Sequence, residues 1–510
     1  MRFPLVLILI SLFALPAAAQ HDHAATAAPP PVTLDDGLSG LHCRVSTKSA
    51  EAQRFFDQGM RYLFAFNHES AVRSFDRARE LDPELAMASW GTALALGPNI
   101  NLDVDPEREK QAYDASRRAR ALAGSATPME RDLIEALAIR YSIDEGADLH
   151  QLSVNYSDAM RAVAKKYPAD PNVNTLFAES LMDLRPWKFW SHDGQPAAGT
   201  EEIVATLEQV LKTHPNHLGA NHYYIHAVEA SAHPERALPS ARRLQTLAPA
   251  AGHLVHMPAH VFQRTGNYAG AARANERGAE EDRKYIARYG TEGMYVGMYY
   301  NHNLQFGSAS YAMLGNYEKA RALAEEMASN VTPMVSMMPA VEPFAAAPLL
   351  IDVRFGKWPK VLAAAPVEAG PLSTLYWHFA RATAYAHAGN VPGVERERAL
   401  FDQVRATLGD DPGFLQNSPK ALAAVAANLL DGGLAWAKGD RPAAIAAYRK
   451  AVEAEDALNY DEPSDWFYPT RETLAAALLQ AGDRKEAMAV YREDLKHNPN
   501  NPVSTRALAR

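Results

Sequence analysis

Histidines concentrate in one short part of this sequence. Residues 214–260 contain eight of the 18 histidines in the chain, where uniform scatter would place between one and two. Two pairs stand four residues apart: His222 with His226, and His256 with His260. On an α-helix this spacing puts both imidazoles on one face, about 6 Å apart at Cβ, so two ring nitrogens can reach one ion. The spacing therefore predicts a metal site, provided that these segments are helical.

Further groups that could take part in this chemistry lie close by in the sequence. They are Glu229, His253, His302, Tyr299 and Tyr300. Glu229 follows His226 by three residues on the same predicted face, where it is either a ligand or a general base. The two tyrosines are candidates for orienting the ligands or donating a proton.

Pro258 lies inside the second histidine pair. A proline in a helix interior removes one backbone hydrogen bond and clashes with the preceding turn. We therefore expect a break or kink between His256 and His260, and the geometry of this pair is less firmly predicted than that of His222 and His226.

The elements that must position these side chains are helices in a repeating pattern. Almost every segment after residue 50 has apolar residues at i, i+3, i+4 and i+7, which predicts an all-α protein. A 34-residue unit carries small, aromatic and proline residues at fixed positions. They are Phe55, Gly59, Tyr62, Ala71, Phe75, Ala78 and Pro83, at positions 4, 8, 11, 20, 24, 27 and 32. This pattern resembles the tetratricopeptide repeat and recurs along the chain. The resemblance implies an α-solenoid of antiparallel helix pairs, here with long loops between repeats.

The repeat resemblance also implies where the candidate ligands point. In this fold the first helix of each repeat lines a concave groove through positions 2, 5, 9 and 12. His222, His226 and Glu229 then fall at positions 5, 9 and 12 of one repeat. Positions 2, 5 and 9 of the next repeat are His253, His256 and His260, and His302 is at position 2 of the repeat after that. Six imidazoles and one carboxylate are thus expected in one groove, at about residues 217–303.

Three short motifs strengthen this expectation. HYYIHAVE, HLVHMPAH and YYNHN resemble the motifs of largely uncharacterised exported bacterial tetratricopeptide proteins, which carry a His-x-x-x-His helix and an HMPSH-type motif. This chain has Ala259 where the motif usually has serine, and Glu229 where aspartate is common. Neither difference removes a candidate ligand.

The ligand set restricts the metal. Six histidines and a glutamate exceed what one tetrahedral ion uses, so the sequence predicts either two ions or one ion with catalytic groups around it. Imidazole with carboxylate favours copper or iron, with zinc as a third option, and the lack of groove cysteines argues against a structural zinc site. The paired His-x-x-x-His spacing is similar to that of type 3 copper proteins. A metal-dependent oxidoreductase or hydrolase acting on a small molecule would fit this pattern.

Two other functions stay open at this stage. One is a scaffold whose groove binds a peptide or partner protein, for which Asn, Lys and Arg at groove positions would be expected instead of histidine. The other is a metal carrier or sensor without turnover, which the sequence does not separate from an enzyme.

The N-terminus predicts export. Residues 1–19 have one basic residue, an apolar core and the small-residue site Ala17-Ala18-Ala19, which is typical of a cleavable signal peptide and of a periplasmic or secreted protein. Residues 20–50, rich in Ala, Pro and Gly, are expected to form a flexible leader. We expect the solenoid to span residues 51–505 and a short tail to span 506–510.

Composition excludes several classes of partner. The formal charge of −9 is spread along the chain without a basic block, which argues against nucleic acid. No segment after the signal peptide has the roughly 18 apolar residues needed to cross a bilayer, so no membrane insertion is expected. Cys43 is the single cysteine, which excludes an internal disulfide. The oligomeric state stays open.

Long joins interrupt the repeats. They are Gly97 to Pro106, Arg185 to Gly199, Met327 to Pro343, Leu408 to Pro419 and Asp456 to Pro469. Several carry aromatic residues, such as Trp187 and Trp466, and the simplest interpretation is that these pack the loops onto the solenoid. The alternative is that the joins are lids or binding loops, as long loops in compact proteins often are.

Overall fold

Helices make up most of the chain. The computed structural model describes residues 32–510 except 39, 193, 292 and 412–415, so the predicted signal peptide and residues 20–31 lie outside the described residues. The first helices are α1 Ala50–Leu63, α2 His68–Leu81, α3 Ala86–Leu96, α4 Pro106–Leu122, α5 Pro128–Ala138, α6 Leu149–Lys166, α7 Pro171–Met182 and α8 Thr200–Thr213. The central helices are α9 Leu218–Val228, α10 Leu238–Leu247, α11 Gly252–His256, α12 Pro258–Arg264, α13 Tyr268–Tyr289, α14 Asn301–Met313 and α15 Tyr317–Val331.

The last helices are α16 Ala347–Arg354, α17 Trp358–Ala363, α18 Pro371–His387, α19 Val391–Arg405, α20 Pro419–Ala437, α21 Arg441–Asp456, α22 Thr470–Gln480, α23 Arg484–His497 and α24 Pro502–Leu508. Short 3-10 turns cover Ala123–Ser125, Pro234–Ala237, Thr332–Met334 and Pro339–Ala346, and a π-helical turn covers Tyr295–Tyr300. Among the described residues there is no β-strand, only isolated bridges in two loops. The predicted all-α class is confirmed.

Consecutive helices pack as pairs, as expected for a tetratricopeptide-like solenoid. α1 packs on α2, α18 on α19, α20 on α21, and α22 on α23. The repeat positions explain the close approach in the first pair: a Cβ added at Gly59 would overlap the ring of Phe75. Gly432 and Tyr448 have the same relation in α20 and α21. A small residue opposite an aromatic ring therefore sets the spacing of the helices, which is the packing that the sequence pattern predicts.

The turn between the two helices of a repeat often uses a Gly-Asn or Gly-Asp pair. Gly266, for example, has φ of +76°, a left-handed conformation that a residue without Cβ adopts at low cost. Asn267 then caps α13 by accepting a hydrogen bond from the backbone N–H of Gly270 at 3.0 Å. The turn after α1 departs from this pattern, because the left-handed position is occupied by Phe66.

Buried apolar side chains form two large clusters. One runs from Leu38 to Val341 and the other from Ala346 to Ala487. Within the first cluster, every residue of α9 is buried, which leaves this helix without a solvent face. Polar side chains on α9 must therefore find partners inside the protein.

Part of the predicted flexible leader is packed against the solenoid. The predicted leader spans residues 20–50, and its described part includes the buried residues Leu38 and Cys43. The backbone N–H of Cys43 donates a hydrogen bond to Asp57 Oδ1 at 2.8 Å. The leader prediction is therefore wrong for this part, because composition did not reveal these contacts. The predicted tail at 506–510 likewise overlaps α24. No helix in the described ranges is long and apolar enough to cross a bilayer.

Candidate metal centre

Three segments carry the predicted ligands. α9 carries His222 and His226, and α14 carries His302. The segment between them breaks at Met257, so that His253 and His256 end α11 while His260 lies in α12. The break that Pro258 predicts is confirmed.

The six histidines divide into two groups of three. We call His222, His226 and His253 triad A, and His256, His260 and His302 triad B. Within each triad, one nitrogen per ring lies within 4.8 Å of the others. The sequence placed all six in one groove, and the structure brings all six together but separates His253 from His256.

The two triads repeat one arrangement. Each combines an i, i+4 pair at repeat positions 5 and 9 with a histidine from position 2 of the next repeat. In triad A the Nε2 atom of His222 lies 3.1 Å from Nε2 of His226 and 3.1 Å from Nε2 of His253. In triad B the Nε2 atoms of His256 and His260 are 2.8 Å apart.

Hydrogen bonds on the far side of the rings fix where the protons are. The Nδ1 atom of His222 donates to the backbone carbonyl of Phe64 at 2.7 Å, which can only accept. The Nδ1 atom of His256 donates to Asn275 Oδ1 at 2.6 Å, and the Asn275 amide is oriented by its own donation to Ala271 O. In a neutral imidazole with a proton on Nδ1, the Nε2 atom is left with a lone pair. Such bonds on the second ring nitrogen are typical of metal-ligating histidine.

Glu229 links the two triads through one hydrogen bond and one ion pair. Its carboxylate accepts from Nδ1 of His226 at 2.8 Å, and Nδ1 of His260 lies 2.5 Å from its other oxygen. Burial alone would raise the pKa of Glu229, but His260 and His226 beside it lower that pKa to about 2. Oε1 accepts a hydrogen bond from His226 and Oε2 faces Nδ1 of His260 in an ion pair, so Glu229 contacts one histidine of each triad.

The histidines are held in neutral form, with one exception. Burial and repulsion from neighbouring imidazoles push the pKa values of His222, His253 and His256 well below the ordinary value. For His302 the same two causes lower the pKa to about 3. Burial also lowers the pKa of His260, but the Glu229 carboxylate outweighs it and raises the pKa. One extra proton can therefore reside on His260 when no metal is bound.

A phenylalanine packs against all three rings of each triad. The Phe66 ring lies 4.5, 5.9 and 5.6 Å from those of His222, His226 and His253, measured between ring centroids. Phe66 has φ of +57°, a strained conformation for a bulky residue. Sequence reasoning missed it, although a phenylalanine where other repeats have glycine in the turn was an available signal.

Phe306 has the equivalent place against triad B. Its ring centroid lies 5.5, 5.1 and 5.8 Å from those of His256, His260 and His302. Phe306 is fully buried. The two phenylalanines exclude water from one side of the triads and restrict rotation of the imidazoles.

A cavity of about 710 Å³ adjoins the centre. His226, His253, His260 and His302 line it, and all five long joins of the sequence contribute to its wall. Trp187 lines it as well, with its ring in edge contact with His226 at 5.4 Å. Phe189 and Trp466 instead are buried in packing contacts. The joins are therefore cavity walls, while most of their aromatic residues serve to pack them.

Carboxyl groups also line the cavity. Glu462 is buried and accepts a hydrogen bond from the Tyr460 hydroxyl at 2.7 Å. Burial raises its pKa to about 7, against an opposing effect from His260. Asp183 forms a buried ion pair with Arg140 at 2.6 Å. Glu462 lies more than 200 residues from triad A, and no local pattern marks it.

The two predicted tyrosines, Tyr299 and Tyr300, have different positions relative to the site. Tyr299 lines the cavity, its ring lies 4.8 Å from that of His253, and its hydroxyl accepts from Asn101 Nδ2 at 3.1 Å. Tyr300 points elsewhere and donates its hydroxyl to Glu326. The predicted role of Tyr300 in the site is therefore wrong, because adjacent residues on a helical turn face different directions.

Comparisons with known proteins give structural likeness only. No protein-family model and no curated protein matches the chain. A human IFIT1 dimer with m7Gppp-AAAA is 15% identical, covers 88% of this chain and 94% of that chain, and has a TM-score of 0.36. The match to yeast Tom70 has 11% identity, covers 91% of this chain and 89% of that chain, and has a TM-score of 0.29. The match to the P58(IPK) TPR domain has 12% identity, covers 90% of this chain and 97% of that chain, and has a TM-score of 0.23.

Proposed function

We propose that the protein is a copper-dependent oxidoreductase that binds one copper ion in each triad and oxidises a small polar molecule in the adjoining cavity. One observation carries the proposal: Nε2 of His222 lies 3.1 Å from Nε2 of His226, and Nε2 of His256 lies 2.8 Å from Nε2 of His260. Hydrogen-bond acceptors at Nδ1 of His222, His226 and His256 leave the Nε2 lone pairs of these three rings directed inward. Lone pairs repel at this distance unless a cation lies between them.

The separations support a metal ion as that cation. With metal–nitrogen bonds of roughly 2.0–2.1 Å, two nitrogens on a tetrahedral ion are about 3.3 Å apart. The observed 2.8 and 3.1 Å require only a small outward movement of the rings. In the metal-free protein, a proton on His260 Nε2 can bridge to His256, and metal binding would release it.

The ligand type favours copper over iron. Iron centres of this size commonly include carboxylate ligands, whereas both oxygens of Glu229 already lie against Nδ1 atoms of His226 and His260. Three neutral imidazoles per ion suit copper and zinc. Bound copper supplies one-electron redox chemistry with dioxygen, which is the reason for proposing an oxidoreductase.

The chain's own groups define the rest of the reaction site. A cavity of about 710 Å³ falls within the usual 300–1,000 Å³ range of small-molecule sites, and loops contribute to its wall. The Glu462 carboxyl group can take up or return a proton near His260, because its pKa of about 7 suits proton transfer at neutral pH. Trp187 offers a flat apolar surface to the substrate, and Phe66 excludes water behind triad A.

A zinc-dependent hydrolase is the second candidate, and Glu462 is the observation that favours it. A buried carboxylate beside a three-histidine zinc ion could act as the general base for a metal-bound water. A peptide-binding scaffold fits less well, since loops rather than an open groove surround the histidines. A carrier without turnover would share the metal site but show no reaction.

The biological setting is also part of this proposal. We place the protein in the periplasm or outside the cell, following the predicted signal peptide of residues 1–19. We group it with exported bacterial tetratricopeptide proteins that share the HMPSH-type motif. Copper acquisition is compatible with an exported location.

Metal analysis of matched variants tests the proposal. The wild-type protein, loaded with copper and dialysed, is expected to retain two ions per chain. We expect His222→Ala/His226→Ala and His256→Ala/His260→Ala to retain one each, because each change destroys one triad. The control replaces four exposed histidines, His192, His214, His233 and His497, with alanine and should retain two.

Two results would count against the metal centre. These are a wild type that retains no more copper than the variant lacking both pairs, or a control that loses as much as the site variants. Dioxygen consumption by the copper form, compared with ester or phosphoester hydrolysis by the zinc form, then separates the two candidate reactions.

A further inference from the structure

Four tyrosines form a continuous row that begins at triad A. The Tyr299 ring lies 4.8 Å from that of His253, and Tyr295 stacks on Tyr299 at 5.5 Å. Tyr285 lies 5.2 Å from Tyr295, and Tyr289 lies 4.8 Å from Tyr285, all measured between ring centroids. Tyr299 and Tyr295 are buried, whereas Tyr285 and Tyr289 are half-buried. The row thus leads from the predicted metal centre towards the protein surface.

We propose that this row conducts single electrons between the metal centre and a one-electron donor at the surface, with Tyr295 as the ring that is oxidised in transit. This inference rests on the proposed copper centre. Tunnelling falls steeply with distance, and rings in van der Waals contact divide a long transfer into short steps. Tyrosine is oxidisable at the potentials that dioxygen or peroxide can generate at copper, whereas phenylalanine is not.

Hydrogen bonds single out Tyr295 as the ring on which the oxidised state is stabilised. Its hydroxyl donates to Asp282 Oδ1 at 2.8 Å, so a proton acceptor is in place. The hydroxyl of Tyr285 instead receives a hydrogen bond from Arg73 at 2.9 Å, and a positive neighbour disfavours loss of an electron. Tyr299 accepts from an amide N–H group.

The step balances in electrons and protons. Tyr295 gives one electron through Tyr299 to the copper centre, which has been oxidised by dioxygen or peroxide. Its phenolic proton moves to Asp282, leaving a neutral tyrosyl radical. A surface donor then supplies one electron through Tyr289 and Tyr285, and the proton returns from Asp282 to Tyr295.

The outer end of the row indicates the charge of the donor. The guanidinium groups of Arg73 and Arg288 lie 4.7 and 5.1 Å from the centre of the Tyr289 ring. Two positive charges at this ring favour an anionic electron donor. Arg73 also contacts Tyr285, so the positive charge lies along the last step of the row.

The test measures electron entry in the copper-loaded protein. The protein is first oxidised with one equivalent of hydrogen peroxide and then mixed with ferrocyanide, an anionic reductant, or with hexaammineruthenium(II), a cationic one, and reduction is followed by stopped flow. We expect Tyr295→Phe and Tyr289→Phe to slow reduction by ferrocyanide roughly tenfold or more, because each removes one hopping site. Tyr300→Phe is the control, since its ring points away from the row. Arg288→Gln should slow reduction by ferrocyanide and speed reduction by hexaammineruthenium(II), because loss of a positive charge weakens attraction of the anion and repulsion of the cation.

A second readout detects the radical itself. After one equivalent of hydrogen peroxide, rapid-freeze EPR is expected to show a tyrosyl radical in the wild type and in Tyr300→Phe. The signal should be lost in Tyr295→Phe and diminished in Asp282→Asn, in which the proton acceptor is absent. A packing role for the row would not predict these losses, since phenylalanine preserves the ring contacts.

Copper content is measured in every sample and separates the two ways of failing. A wild type that takes up no copper would overturn the proposed function and this inference together. Copper-loaded Tyr295→Phe and Tyr289→Phe variants that are reduced as fast as the wild type, with an unchanged radical signal, would overturn the tyrosine row alone.

Discussion

Replacement of Glu229 by glutamine tests the logic of the centre with the smallest change of shape. The carboxylate accepts from Nδ1 of His226 at 2.8 Å and faces Nδ1 of His260 at 2.5 Å. A glutamine amide offers one acceptor oxygen and one NH₂ donor. One imidazole can keep its proton on Nδ1, whereas the other must turn Nδ1 into an acceptor. Its remaining proton then moves to Nε2, where it blocks the metal.

The expected result is therefore asymmetric between the two triads. One copper ion should bind as in the wild type, and the other should bind 10–100-fold more weakly, the range found when a group that orients a ligand is lost. This factor corresponds to about 1.4–2.7 kcal/mol of binding free energy. The variant should also lose about 1.5–3 kcal/mol of stability without metal, because a charge-assisted hydrogen bond is removed.

Competition with a chelator of known copper affinity measures both binding steps. Glu208→Gln is the matched control, because Glu208 also accepts two hydrogen bonds, from Tyr224 and Arg236, but lies at the surface. Unchanged affinity of both ions in Glu229→Gln would refute the assigned proton positions. Equal weakening of both ions would refute the claim that glutamine can still serve one triad.

Two further predictions concern stability, and each is read from thermal unfolding. Gly59→Ala should destabilise the protein by about 1–3 kcal/mol because its Cβ overlaps the Phe75 ring, whereas Gly124→Ala, which has open space around it, should change stability by less than about 0.5 kcal/mol. Equal melting temperatures of these two variants would contradict the packing described for the first repeat. Burial raises the pKa of Glu455 to about 7, so the protonated form favours the folded state, and stability should fall as pH rises from about 4.5 to 7. The free energy of unfolding should fall by at most about 3 kcal/mol. Glu455→Gln should flatten the curve of melting temperature against pH in that range, and an unchanged slope would contradict this role of Glu455.

The sequence predicted which histidines lie together, because their spacing follows the helix and the repeat. Register alone placed His222 and His226 on one face, and the tetratricopeptide pattern added His302 from a later repeat. The sequence pattern could not show that the six histidines divide into two triads. That division depends on side-chain directions within α11, where His253 faces His222 while His256, three residues later, faces His260.

Other parts of the site depend on contacts between distant segments. Phe66 reaches triad A from a turn about 160 positions earlier in the chain. Glu462 reaches the cavity from the C-terminal part of the chain. Helical periodicity describes a neighbourhood of a few residues and carries no information on such contacts. Tyr300 was wrongly assigned for a related reason, because the motif identified the segment but not the direction in which each tyrosine points.

The arrangement of a histidine pair with one histidine from the following repeat has a mechanical consequence. No single helix pair contains a complete triad, so an ion in triad A would fasten one junction between repeats, and an ion in triad B would fasten the next. In a solenoid, stability is a sum of terms within repeats and terms between nearest neighbours. Metal would strengthen two consecutive coupling terms and leave those nearer the ends unchanged. Loading should therefore join the central repeats into one cooperative unfolding unit, while the terminal repeats continue to fray independently.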